Sequence, residues 1–169
     1  EVTACMNLAY RNKAPVYFRM GKSDLGDLHS TPLQLTEGQL LQIKDGQVGD
    51  VTFIATGSLV STAMDMARDH FPEAAVWSAP CIKPINHDLV VNICKKSHAV
   101  IVLEEHSILG GLGSVITEVS SELAPVRILR VGVQDRFSHY CGTYEYLLKE
   151  HGLDKEAILL RVDEFLKHN

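Results

Sequence analysis

Between Asp50 and the end of the chain, four apolar runs, Val51 to Ala55, Ala74 to Trp77, Ala99 to Leu103 and Val126 to Val131, alternate with segments whose apolar residues recur at helical spacing. Apolarity along each run is nearly continuous. A strand with one face in water would alternate with a period of two, so continuous runs belong to strands covered on both faces. Such strands separated by helices build a mainly parallel sheet, and the expected fold is a single doubly wound α/β domain.

The intervening helices are legible as stripes. Leu59, Val60, Ala63, Met64, Ala67 and Phe71 form one, Leu112, Val115, Ile116, Val119 and Leu123 another, and a weaker one runs from about His87 to Lys96. Tyr144, Leu147 and Leu148 mark a short helix that Gly152 is expected to end in the left-handed conformation. Asp154 is expected to cap a final helix whose Ile158, Leu159, Val162, Phe165 and Leu166 face the core.

Upstream of this unit the pattern changes. Val2, Cys5, Met6 and Ala9 recur at helical spacing, and Pro15 to Met20 is a short apolar run read as a strand. A lone strand leaves its backbone groups unpaired, so its partner must lie outside this chain, or it must hang on the surface. From Gly21 to Asp50 the chain is polar and broken by glycine and proline, apart from pieces such as Leu40-Leu41-Gln42-Ile43, and reads as a linker leading into a short strand or hairpin. The expected division is therefore 1–22 as the tail of a preceding domain, 23–49 as linker and 50–169 as the α/β domain. A start at Glu1, without methionine, fits a fragment or a numbering that begins inside a longer protein.

Composition narrows the classes of function. With 169 residues, 46% hydrophobic and 22% charged, the chain can bury one good core. A net charge of -5 and no basic block argue against nucleic acid or an anionic membrane as partner. Cys5, Cys81, Cys94 and Cys141 form no CxxC pair, and most sit in apolar patterns, as reduced thiols do. No run is long enough to span a membrane and no signal-peptide pattern opens the chain, so a cytoplasmic location is expected.

Ligands of open α/β sheets collect where strands turn into helices at their carboxyl ends. Thr56-Gly57-Ser58 follows the first run, and Gly110-Gly111-Leu112-Gly113-Ser114 follows the third after Glu104-Glu105-His106. Both turns put small residues before a helix start, where N–H groups and the dipole can hold a phosphate. Neither matches GxGxxG or a Walker loop, so glycines that let helix and sheet approach are the preferred reading. Glu104, Glu105 and His106 have acid–base or metal-binding composition, but adjacent strand residues point to opposite faces. The preferred role of Glu105 and His106 is to pin the glycine loop of Gly110, Gly111 and Gly113, or to make a subunit contact. Cys141 near His139 has the composition of a nucleophile pair but sits among loop residues, which rarely hold the required geometry. Arg19 and Lys22, flanking Gly21, suit a phosphate and suit solvated linker charges equally well.

In order along the chain, Asp50 to Ser58, Ile82-Lys83-Pro84-Ile85, Val102 to Ser107 with Gly110 to Ser114, and Gly132-Val133-Gln134-Asp135-Arg136-Phe137 resemble the carboxy-terminal domain of transketolases. The resemblance runs from Pro15 to the last helix. It is closer to transketolase than to deoxyxylulose-phosphate synthase or the β subunit of 2-oxoacid dehydrogenases, and closest to the carboxy-terminal subunit of split transketolases.

That resemblance implies a complete enzyme, dependent on thiamine diphosphate and a divalent metal, that transfers a two-carbon ketol unit between sugar phosphates. It implies that the cofactor is held by an amino-terminal and a pyrimidine-binding domain, in the same chain or a partner subunit, and that the assembly is a homodimer. The diphosphate motif, the activating glutamate and the catalytic histidines of the family lie outside this chain. No catalytic, cofactor-binding or metal-binding residue is therefore expected here, and no activity of the chain alone. Of the substrate grip, the basic residue seven positions after the strand-opening proline contacts phosphate in relatives as arginine. Here it is Lys22, a point charge without the bidentate fork, and Arg19 can share its task. The competing classes are a stand-alone nucleotide- or flavin-binding module of flavodoxin-like architecture and the β subunit of a 2-oxoacid dehydrogenase.

Overall fold

The computed structural model describes residues 1–21 and 26–168. Along them run α1 (Val2–Arg11), β1 (Leu41–Lys44), β2 (Val51–Ala55), α2 (Leu59–Asp69), β3 (Ala75–Ser78), α3 (His87–Lys96) and β4 (Ala99–Ser107). They are followed by α4 (Leu112–Leu123), β5 (Arg127–Val133), α5 (Tyr144–His151) and α6 (Lys155–Lys167). The strands form a five-stranded sheet in the order β1-β3-β2-β4-β5. Only the β1–β3 pair is antiparallel; β2 lies parallel to β3 and β4, and β4 parallel to β5.

Continuous apolarity becomes burial from both sides. All five residues of β2 are buried, as are the first six of β4. Alternation then divides the core. Phe53, Ala55, Ile101 and Leu103 face α2 and α6, packing with Leu59, Ala63, Met66, Ile158 and Val162. Ile54, Val100 and Val102 face α3 and α4, packing with Val90, Ile93, Leu112 and Ile116. Strand order reverses between β2 and β4, so their carboxyl ends open the crevice in which a doubly wound sheet ordinarily binds its ligand.

Local signals act where the sequence places them. Gly152 ends α5 at φ 64°, a conformation that needs no Cβ. The Asp154 carboxylate accepts the Ala157 N–H at 3.2 Å and starts α6.

One expectation changes. Pro15 to Met20, read as a strand, forms none, and its side chains are exposed. An apolar run measures willingness to be covered, and no described segment offers it a ladder. Strand β1 is the short strand into which the polar stretch is expected to lead, and it closes the edge of the sheet against β3. Helix α1 docks beside it, with Ala4, Leu35 and Leu41 buried together and Cys5, Leu8, Leu33 and Ile43 around them.

Phe53 is fully buried, with its ring 5.7 Å from that of Phe71. Phe53→Ala is expected to lower unfolding stability by about 3–5 kcal/mol in urea titrations. Leu160→Ala, at a residue 63% exposed, should stay within about 0.5 kcal/mol of the parent. Equal effects of the two changes would contradict this division of core and surface.

Candidate functional site

The crevice is built around the last residues of β4. Glu104 is 1% exposed, and its side chain turns toward the start of α4. One carboxylate oxygen accepts the Leu112 N–H at 2.8 Å and the other accepts the Gly113 N–H at 2.9 Å. These are first-turn donors that have no partner within their own helix. The helix has no side-chain cap from Gly111 and no acidic residue in its first turn, so the strand supplies both the acceptors and the negative charge.

The glycines make that approach possible. A Cβ on Gly111 would stand 2.0 Å from a Glu104 oxygen and 2.7 Å from the Ser107 carbonyl oxygen. A Cβ on Gly113 would meet Arg130 Cγ at 2.9 Å, the flexible part of a long side chain. Arg130 also braces the loop from outside, its Nη1 donating to the Ile108 carbonyl at 3.0 Å and to Ser114 Oγ at 3.2 Å. Close packing is thus what Gly111 and Gly113 serve, whereas Gly110 has open space around it and takes φ 75°, a conformation that favours glycine.

Glu105 points the other way. A single oxygen of its carboxylate accepts the hydroxyls of Ser58, at the start of α2, and Tyr144, at the start of α5. His106, exposed at the next position, meets the upstream segment: its Nδ1 lies 3.4 Å from Nη1 of Arg19. Lys22 lies outside the described residues.

The structure therefore reassigns part of the sequence reading. Glu104, not Glu105 or His106, pins the glycine loop, while Glu105 joins two helix starts and His106 meets Arg19 of the upstream segment. Composition alone could not reveal the clasp, because Glu104 and Leu112 are brought together by the loop between them. The combination that signalled it is an acidic residue at the inner face of a central strand, followed by a helix with glycine, not Ser, Thr or Asp, at its start.

Other candidates are not assembled into chemistry. Burial raises the Cys94 thiol above its ordinary range, which disfavours the thiolate. Around Cys141, the His139 N–H donates to the Glu150 carboxylate and holds it below its usual range, and Ser138 Oγ pairs with His151 Nε2 at 2.8 Å. Phe137, from the motif after β5, is 96% exposed. Among the described residues no group of three or more His, Cys, Asp or Glu side chains is placed to hold a metal ion. The first-turn N–H groups of Leu112 and Gly113 are closed to a phosphate by Glu104. No described helix is long and apolar enough to cross a membrane.

Five mostly parallel strands wrapped by helices, with Glu104 and Glu105 tied to the helix starts around the end of β4, define a doubly wound α/β domain. More narrowly, the chain belongs to the transketolase carboxy-terminal domain family, whose family model matches residues 40–158. It is 30% identical over 163 residues to one subunit of the apulose-4-phosphate transketolase of Actinobacillus succinogenes, covering 94% of this chain and 52% of that protein. It is 33% identical over 153 residues to a 6-deoxy-6-sulfo-D-fructose transketolase subunit of a Clostridium species, covering 89% and 47%. Among solved structures, a split-gene transketolase described as an inactive β4 tetramer superposes with a TM-score of 0.88 at 33% identity, over 97% of this chain and 54% of that one. The chain thus spans about half the length of the curated relatives it matches.

Glu104→Gln puts an amide NH2 against a helix N–H and should cost about 1–3 kcal/mol in urea unfolding. Gly111→Ala should also cost at least about 1 kcal/mol by forcing the carboxylate off its donors. At Gly113 the gain in helix propensity, about 0.5–1 kcal/mol, offsets the displacement of Arg130, so Gly113→Ala should be near neutral. A Gly113 change as damaging as the Gly111 change would refute the packing described.

Proposed function

We infer that the chain is the carboxy-terminal portion of a transketolase-type enzyme that moves a two-carbon ketol unit between sugar phosphates. Its own contribution is to support the assembly and, through its upstream tail, to help hold the substrate. The observation that carries this reading is the Glu104 clasp: of the two helix starts at which a stand-alone module would bind a phosphate, after Gly57 and after Gly110, the second is already occupied by a side chain. That weighs against the flavodoxin-like alternative.

In this reading residues 1–22 close a preceding pyrimidine-binding domain, 23–49 connect, and 50–169 form the terminal domain. Thiamine diphosphate and its divalent metal supply the carbanion chemistry from that preceding domain and an amino-terminal domain or subunit. The working unit is a cytoplasmic homodimer of the complete protein. The exposed face of α1, with Val2, Met6 and Tyr10, is what a tail helix cut from its domain would leave uncovered.

The substrate grip assigned to this chain is Arg19 with Lys22. The names of the two relatives above carry a phosphate in one case and a sulfonate in the other, and both are tetrahedral oxyanions that cationic side chains recognise. Arg19 offers a planar fork and Lys22 a point charge.

Reconstitution tests the assignment. Adding the amino-terminal and pyrimidine domains to this chain, with thiamine diphosphate and magnesium, should produce ketol transfer that neither part shows alone. No transfer from the assembled parts, or tight binding of a nucleotide or flavin to the isolated chain in calorimetry, would overturn it. In the active assembly, Arg19→Ala and Lys22→Ala should each raise KM about tenfold for a phosphorylated acceptor and leave an unphosphorylated one unaffected.

A further inference from the structure

Arg19 sits on an exposed stretch without regular structure, and a guanidinium on such a segment must lose rotamer freedom to hold one position. Its described side-chain contact is with His106, 3.4 Å away. A guanidinium only donates, so His106 Nδ1 is the acceptor, which requires a neutral ring with its proton on Nε2. The contact uses one of five N–H donors and leaves the fork able to meet an oxyanion.

The base from which His106 reaches is held on both sides. Glu104 ties the strand to α4 through two backbone N–H groups, and Glu105 ties it to the starts of α2 and α5. The imidazole is therefore presented from a rigid part of the fold to a cation on an irregular segment. We propose that His106 is a positioning residue for substrate binding, whose Nδ1 orients the Arg19 guanidinium toward the anionic end of the sugar and so couples the terminal domain to specificity. The proposal rests on the phosphate role given to Arg19 above, and it adds a residue that makes no contact with substrate itself.

The test uses the complete enzyme with its cofactor-binding domains, comparing glyceraldehyde 3-phosphate with glyceraldehyde as acceptor. His106→Ala should raise KM for the phosphorylated acceptor about fivefold, the scale of one charge-assisted hydrogen bond at an exposed site, with kcat unchanged and glyceraldehyde unaffected. Asn places a carbonyl oxygen near the position of Nδ1, so His106→Asn should stay within about twofold of the parent. Because His106 acts through Arg19, adding His106→Ala to Arg19→Ala should have no further effect.

Wild-type kinetics in His106→Ala, beside a raised KM in Arg19→Ala, would remove the positioning role and leave the phosphate reading standing. Loss of kcat with both acceptors, unrescued by Asn, would make His106 a structural residue and also overturn the proposal. An Arg19→Ala enzyme that treats the two acceptors as the parent does would take down the phosphate reading itself.

Discussion

A carboxylate with 1% exposure is tolerable inside a protein only if its charge and lone pairs are answered, and for Glu104 the answer is the first turn of α4. Two otherwise unpaired N–H groups and the positive end of the helix meet both oxygens at once. Each partner needs the other, since removing the acid would strand the donors and displacing the helix would strand the acid. The need for glycine at 111 and 132 follows from this contact: a Cβ on Gly111 would stand 2.0 Å from a Glu104 oxygen, and one on Gly132 would stand 3.1 Å from Glu104 Cγ and 2.8 Å from the His106 carbonyl oxygen. The central strand and the helix that follows it are consequently locked at the place where a doubly wound sheet would otherwise open to a ligand.

The layout of the sheet was readable because burial on both faces leaves a direct trace, and Val51 to Ala55 and Ala99 to Leu103 show it. The caps at Gly152 and Asp154 were readable because each acts within a turn of its own position. What escaped was non-local or depended on neighbours. Strand β1 was readable as a short strand but its partner was not, because at four residues on an edge its pairing is decided by β3 and not by its own pattern. Pro15 to Met20 shows the reverse, a strand-like composition with no described edge to join. The role of Glu104 escaped because reach across a loop is set by the path of the loop, to which periodicity is blind, whereas the divergence of Glu104 from Glu105 followed from strand alternation alone.

That alternation also explains how one strand end serves three parts of the molecule. Glu104 goes to α4 on one face and Glu105 to α2 and α5 on the other, while His106, at the rim, meets the upstream segment. The positions of these polar groups are fixed by apolar residues behind them. Ile101 and Leu103 commit to the α2–α6 side, and Val100 and Val102 to the α3–α4 side. A slip of one residue would turn every one of these side chains to the opposite core and exchange Glu104 with Glu105, so the register that packs the sheet is the register that builds the crevice. Parallel pairing from Val51 with Ala99 to Ala55 with Leu103, and from Ala99 with Arg127 to Leu103 with Val131, holds β4 in that register on both edges. The contact of Arg19 with His106 thus traces back, through the end of β4, to hydrophobic packing in the centre of the domain.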